Sequence, residues 1–170
     1  MLYELRALSA EQRSALEQAA RPVRPELLAQ HWAAGGDGVR AVACWIAAGQ
    51  LAGQHAASQE AVLHFQSGLA LIAALPSGAT TDLLELELQI GLGAAACAAH
   101  GYASVEGAQA YARAMDLCRR TDKHPDLFAA VWGLWASASS RSGYASARAL
   151  TDQLLQMAEL SGDPVQMQQA

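Results

Sequence analysis

Residues 45–68, WIAAGQLAGQHAASQEAVLHFQSG, decide the fold of this 170-residue chain. The small residues Ala47, Ala48 and Gly49 follow shortly after Trp45. Sixteen residues after Trp45 another small residue, Ala61, precedes Phe65. The apolar residues recur every three or four positions, which is the helical period. A bulky residue and small residues on one helix can accept a small residue and an aromatic ring from the next. The stretch therefore predicts two antiparallel helices that pack closely.

The composition extends this prediction to the whole chain. Alanine is the most frequent residue, leucine and glutamine are common, and valine and isoleucine are sparse. Alanine, leucine and glutamine are strong helix formers, whereas a sheet needs β-branched residues. Hydrophobic residues make up 52% and charged residues 16% of the chain, which excludes a disordered segment. We expect an all-α protein.

The charge, the apolar runs and the cysteines indicate which partners and which cellular compartment to expect. The net charge of −5 lacks the basic excess that nucleic-acid binding needs, so no nucleic-acid contact is expected. No apolar run reaches the roughly 18 to 20 residues of a membrane span, and the N-terminus does not resemble a signal peptide. The chain has three widely spaced cysteines, which we interpret as free thiols in the cytoplasm.

Helix-start and helix-stop residues divide the chain into eight helices and the beginning of a ninth. The first is expected over residues 9–20. The residues expected to cap or open the later helices are Pro25, Asp37, Ser58, Thr80 or Thr81, Ser104, Pro125, Tyr144 and Asp163. Grouped in pairs, the helices form a single domain with an N-terminal pair (1–36), three repeats (37–76, 80–121 and 124–162) and the start of a truncated helix (163–170). We therefore expect a fragment of a longer protein.

The helix pairs resemble tetratricopeptide repeats, which have the pattern W-x2-L-G-x2-Y followed by A-x3-F-x2-A. The intervals between Ala61, Gly107 and Ala147 are 46 and 40 residues, longer than the usual period of about 34. Ala41 and Trp45 also fit the second-helix pattern, which leaves open a pairing of the second helix with the third. The residues expected to pack the repeats are Trp45, Ala48, Gly49, Ala61, Phe65, Gly68, Leu92, Gly93, Tyr111, Ala114, Trp132, Trp135 and Ala147. The resemblance implies a right-handed superhelical array of antiparallel helix pairs, an α-solenoid.

Several stretches also resemble the helical-repeat region of bacterial signalling proteins, where it follows an AAA/STAND-type ATPase and often a class III adenylate or guanylate cyclase. These stretches are RPELLAQHW (24–32), AAGQ (47–50), LALIAALP (69–76), LG (92–93) and GY (101–102). The resemblance spans about residues 24–165 and implies a regulatory, partner-sensing role. It does not place the ATPase in this chain, because a Walker A loop needs a Gly-Lys-Ser/Thr end and the single lysine, Lys123, lies between Asp122 and His124.

No catalytic, cofactor-binding or metal-binding residue is expected. Residues 91–96, GLGAAA, match a dinucleotide-loop fingerprint, but the residues before them favour helix, and we prefer a helix-packing role. Cys97 and His100 share a helical face, but a structural metal site needs about four ligands and no second pair has suitable spacing. A small helical enzyme or cofactor binder is therefore the least favoured function.

In such an array the first helix of each pair lines the concave side, where a protein or peptide partner would bind. The expected concave residues are Ile46, Gln50, Gln54, Glu87, Ile90, Cys97, Ser137, Ser140 and Arg141. An unoccupied concavity is an equal alternative. The aromatic stripe Phe128, Trp132 and Trp135 is interpreted as inter-helix core in preference to a groove wall. The acidic residues Asp82, Glu85 and Glu87 are interpreted as a solvated face in preference to a site for a basic partner.

The sequence thus predicts a non-catalytic interaction module of a larger bacterial signalling ATPase or nucleotide cyclase. Its partner would be a protein, a peptide or other domains of the parent chain. The alternative is a structural spacer or self-association segment, with a homodimer formed through exposed terminal helices.

Overall fold

The computed structural model describes residues 24–121, 124–141 and 144–169. Within these ranges the chain forms eight α-helices and no strand, as the composition predicts. The helices are α1 (Pro25–Ala34), α2 (Gly38–Gln54), α3 (Ser58–Ile72), α4 (Ala79–His100), α5 (Val105–Thr121), α6 (His124–Ser140), α7 (Tyr144–Ser161) and α8 (Pro164–Gln169). The helix expected over residues 9–20 lies outside the described residues.

Three of the expected N-terminal caps form hydrogen bonds. A side-chain oxygen of Asp37 accepts from the Arg40 amide at 3.1 Å, and the Ser104 hydroxyl accepts from the Gly107 amide at 3.2 Å. Asp163 caps α8 in the same way, by accepting from the amide of the second helical residue at 2.8 Å. Each bond satisfies an amide that a helix N-terminus otherwise leaves without a partner.

Three expected helix starts are wrong by one or two residues. One is that of α6, which begins at His124, one residue before Pro125. Ser58 is the first helical residue and not the cap, because the Ala57 carbonyl already accepts the Ala61 amide at 2.9 Å. Helix α4 begins at Ala79, before both threonines. The hydroxyl of Thr81 instead accepts the amide of Gly78, the residue before the helix, at 2.8 Å.

The helices pack as a layered array. Each helix packs against the next along the chain, and α4 also contacts both α2 and α6, the first helices of the neighbouring pairs. The buried apolar residues follow the same order. One cluster joins α2 to α5, a second joins α4, α5 and α6, and a third joins α6 to α7. Helix α4 is therefore the central element on which both neighbouring pairs meet. The right-handed superhelical arrangement, an α-solenoid, stays a prediction.

Candidate interaction surface

Phe65 joins two layers of the array. Its side chain is only 4% exposed, and its ring lies directly against Gly49 on α2 and Gly91 on α4. A Cβ atom placed on Gly49 would lie 2.6 Å from the ring, well inside the 3.5–4 Å or so at which carbon atoms pack. The two glycines therefore let α2 and α4 approach the same ring from different directions.

Tyr111 repeats this arrangement one pair further along. Its ring lies against Gly93 on α4 and Gly133 on α6, and a Cβ on Gly93 would lie 2.8 Å from it. The side chain is buried, and burial raises the pKa of the Tyr111 hydroxyl above its usual value. The expected packing roles of Gly49, Phe65, Gly93 and Tyr111 thus correspond to direct contacts in the structure.

Sequence reasoning missed the second glycine of each layer. Gly91 was considered only as part of a nucleotide-loop fingerprint, and Gly133 was not singled out. A signal was present, because glycine inside a helix costs about 1 kcal/mol relative to alanine and therefore usually has a packing reason. Both glycines contact the aromatic ring of the preceding pair, which is a long-range contact that local spacing does not reveal.

The third pair is built differently. Phe128 is 5% exposed and belongs to a core cluster with Val131, Leu154 and Ala158, in agreement with the core interpretation of the aromatic stripe. Trp132 and Trp135 pack against this cluster but remain partly exposed, and the ring centroid of Trp132 lies 6.1 Å from that of Tyr102 in an edge-on arrangement. The side chains that follow in α7 at the packing position are Ala147 and Thr151, so no aromatic ring from α7 occupies it.

A groove beside Phe65 is lined by residues of α2, α3 and α4. It has a volume of about 320 Å³. Its lining carries no charged side chain and consists of Gly49, Gln50, Gly53, Ser58, Ala61, Phe65, Gly91, Ala94, Ala95 and Ala98. We call these ten residues the small-residue groove. The apolar floor and the few polar groups at the rim, Gln50 and Ser58, are typical of pockets that accept apolar ligand groups.

The expected concave residues fall into two sets. Gln50 lines the small-residue groove, and exposed positions are also held by Gln54, Glu87, Ser140 and Arg141, with Ile90 partly exposed. The predictions for Ile46, Cys97 and Ser137 are wrong, since these side chains are 5%, 8% and 0% exposed. Ile46 lies one turn after Val42 on the face that packs into the core, and the Ser137 hydroxyl accepts a hydrogen bond from Arg141 at 2.9 Å.

A second groove, of about 400 Å³, lies between the end of α3, the start of α4 and α5. Its polar wall consists of interhelical ion pairs. Arg113 donates to both carboxylate oxygens of Glu85, at 2.6 and 2.9 Å, and Arg120 donates to Asp82 at 2.8 Å. The hydrogen bond to Glu85 is the main cause that raises the pKa of Arg113.

These ion pairs correct the interpretation of the acidic residues as a solvated face. Asp82 and Glu85 bind arginines of α5, and of the three acidic residues only Glu87 is classed as exposed. The arginines lie 28 and 38 residues further along the chain, so their approach depends on how α5 docks on α4. The ionic wall of the groove therefore connects α4 to α5, in addition to their buried apolar contacts.

The residues of the two cofactor alternatives, 91–96 and the pair Cys97 and His100, all lie in α4. Residues 91–96 lie inside α4, without the strand and tight turn that a dinucleotide loop needs. Cys97 is 8% exposed, and burial raises the pKa of its thiol. His100 Nε2 lies 3.1 Å from the amide oxygen of Gln59. No group of three potential metal ligands occurs within the described part of the chain.

No helix among the described residues is long and apolar enough to cross a membrane. No family model, curated protein or solved structure matches the chain.

Proposed function

We propose that this chain is a protein-interaction module, non-catalytic by itself, that recognises its partner through the small-residue groove. The groove itself carries this proposal. Its lining is uncharged, its volume is about 320 Å³, and the buried Phe65 is one of its lining residues. Such a surface favours an apolar side chain of a partner. The amide of Gln50 and the hydroxyl of Ser58 are placed at the rim to bond the polar groups that flank that side chain.

The chemistry of the lining supports binding over catalysis. Ser58 is the one hydroxyl among the lining residues, and no histidine, carboxylate or lysine shares the groove with it. A serine nucleophile needs an adjacent base to be activated. The groove therefore has the features of a recognition surface and lacks the paired groups of an acyl-transfer site.

The size of the groove defines the kind of partner. Burying one leucine-sized side chain contributes about 1.5–3 kcal/mol, whereas a micromolar complex requires about 8 kcal/mol. One anchoring side chain is therefore insufficient. The partner would continue along the exposed surface of α2 and α4, where Gln54 and Glu87 lie.

The resemblance of residues 24–165 to signalling proteins places this module, as a proposal, in a larger cytoplasmic bacterial ATPase or nucleotide cyclase. There it would couple the binding of a partner protein, or of another domain of the parent chain, to the output domain. The ATPase or cyclase activity would belong to other domains.

Affinity capture with a blocked groove tests the proposal. Ala94 is exposed and lines the groove, so Ala94→Arg would fill it with a charged side chain without disturbing the core. Ala70→Arg places the same side chain at an exposed position of α3 outside the groove. We expect proteins captured by the original chain to be retained by Ala70→Arg and reduced at least tenfold by Ala94→Arg, as measured by quantitative mass spectrometry.

Two results would count against the groove. Equal capture by all three proteins would show that recognition occurs elsewhere. If no protein were captured from lysate of the native host, the structural-spacer alternative would be favoured. Circular dichroism of each variant confirms that the helices are intact.

A further inference from the structure

Helix α7 carries a row of exposed side chains on its outer face. Arg148, Asp152, Leu155 and Glu159 follow one another at intervals of four, three and four residues, which places them in one stripe along the helix. All four are exposed, and Leu155 retains 40% of its accessible area. We call these four residues the α7 stripe. The opposite face carries the buried residues of α7 and packs against α6.

Large apolar side chains are exposed near the C-terminal end of the stripe. Leu160 at the end of α7 is 82% exposed, and Val165 and Met167 on α8 are 58% and 48% exposed. Helix α8 packs against α7, so these side chains lie at the same end of the array. Single exposed apolar residues are ordinary, but several large ones together commonly mark an interaction surface.

The charges of the stripe are complementary to the same stripe turned end for end. Arg148 lies near its N-terminal end and Glu159 near its C-terminal end, about 16 Å apart along the helix axis at 1.5 Å per residue. Neither residue forms an ion pair with another residue in the described part of the chain. A second copy placed antiparallel would bring its Glu159 to Arg148 and its Arg148 to Glu159.

The register of this arrangement is self-consistent. The midpoint between positions 148 and 159 is also the midpoint between 152 and 155, so Asp152 of each copy would lie beside Leu155 of the other, and the two leucines would lie near the centre. A parallel arrangement would place arginine against arginine and glutamate against glutamate. Two-fold symmetry makes each contact occur twice, which is how a self-complementary surface produces a closed dimer.

From this pattern we propose that the α7 stripe is a self-association surface, and that its partner is a second copy of this chain packed antiparallel through Arg148–Glu159 pairs. This proposal is independent of the small-residue groove, because none of the groove residues belongs to α7. The interface is small and partly polar, which corresponds to a reversible dimer that dissociates on dilution and at high salt.

Charge reversal tests the proposal in an analytical ultracentrifuge. The original chain should approach the mass of two chains as its concentration rises, and raising the salt should shift it towards monomer. Arg148→Glu and Glu159→Arg each place like charges opposite one another, so each variant alone should dimerise at least tenfold more weakly. Mixed in equal amounts, the two variants should associate again, because both pairs then join opposite charges.

Arg119→Glu is the matched control, since it reverses an exposed arginine on α5, away from the stripe, and should dimerise like the original chain. Three results would overturn the proposal if circular dichroism shows folded proteins: a monomer at every concentration, single variants that dimerise like the original, or a variant mixture that stays monomeric. A different protein bound at α7, with no dimer of this chain, would also overturn it. Ala94→Arg, which blocks the small-residue groove, should leave dimerisation unchanged. The dimerisation experiment and the capture experiment therefore test the two proposals separately.

Discussion

The layers around Phe65 and Tyr111 use the same contact but present different surfaces. In each, an aromatic ring of a second helix lies between a glycine of its own pair and a glycine of the next pair. Beside Phe65 the neighbouring positions are small, and a groove remains open. Next to Gly133 in the second layer stands Trp132, which contacts Tyr102. The contact of an aromatic ring with two glycines therefore packs the helices in both layers. The residues beside this contact determine whether a groove exists.

The layers also differ in how their helices are joined. The α4–α5 pair that contains Tyr111 has two interhelical arginine–carboxylate pairs, Arg113–Glu85 and Arg120–Asp82. Among the described residues no such ion pair joins α2 to α3, the pair that contains Phe65. The first layer thus depends more fully on apolar packing, and this difference can be tested by substitution.

The largest effect is expected for Phe65→Ala. The ring is nearly fully buried and contacts both α2 and α4, so its removal leaves a cavity and should lower the free energy of unfolding by about 3–5 kcal/mol. Urea denaturation measures the loss. Leu63→Ala, at a 55% exposed position on the same helix, is the control and should cost much less. Equal losses at the two positions would show that Phe65 does not join the layers.

The glycine contacts predict that alanine substitutions, which usually stabilise a helix, will destabilise this chain at two positions. Alanine normally stabilises a helix relative to glycine by about 1 kcal/mol, but at Gly91 and Gly133 its Cβ would collide with the aromatic ring. Each substitution should therefore destabilise the chain, by about 1–3 kcal/mol. Gly53→Ala in α2 is the control, since a Cβ there meets nothing within 4 Å and should stabilise slightly. The change in stability of each variant is measured by thermal unfolding. Stabilisation at all three positions would contradict the contact of each aromatic ring with a glycine of the next pair.

A smaller effect is expected for the ion pair of the second layer. Glu85→Gln removes the charge that binds Arg113 and should cost about 1 kcal/mol or less, because the Arg113 side chain is 42% exposed and solvent screens the pair. A double-mutant cycle with Arg113→Met isolates the interaction. Added salt should reduce the measured coupling, and a coupling of zero at low salt would mean that the Arg113–Glu85 pair does not stabilise the contact between α4 and α5.

The smallest effect concerns the turn between α2 and α3. Ala56 has a φ of 57°, in the left-handed region that an alanine side chain disfavours. Ala56→Gly should raise the free energy of unfolding by about 0.5–1 kcal/mol, since glycine adopts this conformation without steric cost. Ala70→Gly, within α3, should instead lower the free energy of unfolding. A loss of stability at both positions would show that the turn gains nothing from glycine.

Much of the local structure could be predicted from sequence. The caps Asp37, Ser104 and Asp163 were found because capping depends on residues within a few positions of each other. Gln50 was correctly expected at an exposed position on the first helix of its pair. Ile46 and Ser137 were placed on the wrong face, because the rotation of a helix about its axis is set by the helices that pack on it.

The amino-acid sequence by itself determined the all-helical class, most helix ends, and the pairing of an aromatic ring with a glycine inside each pair. These features depend on propensity, capping and spacing, which act over a turn or two of helix. Only the tertiary structure decided that Gly91 and Gly133 meet the ring of the preceding pair, that small residues open a groove above Phe65, and that Asp82 and Glu85 bind arginines. The glycine contacts and the groove depend on how one pair docks on the next, and the arginine–carboxylate bonds depend on how α5 docks on α4. None of these contacts can be read from residues a turn or two apart.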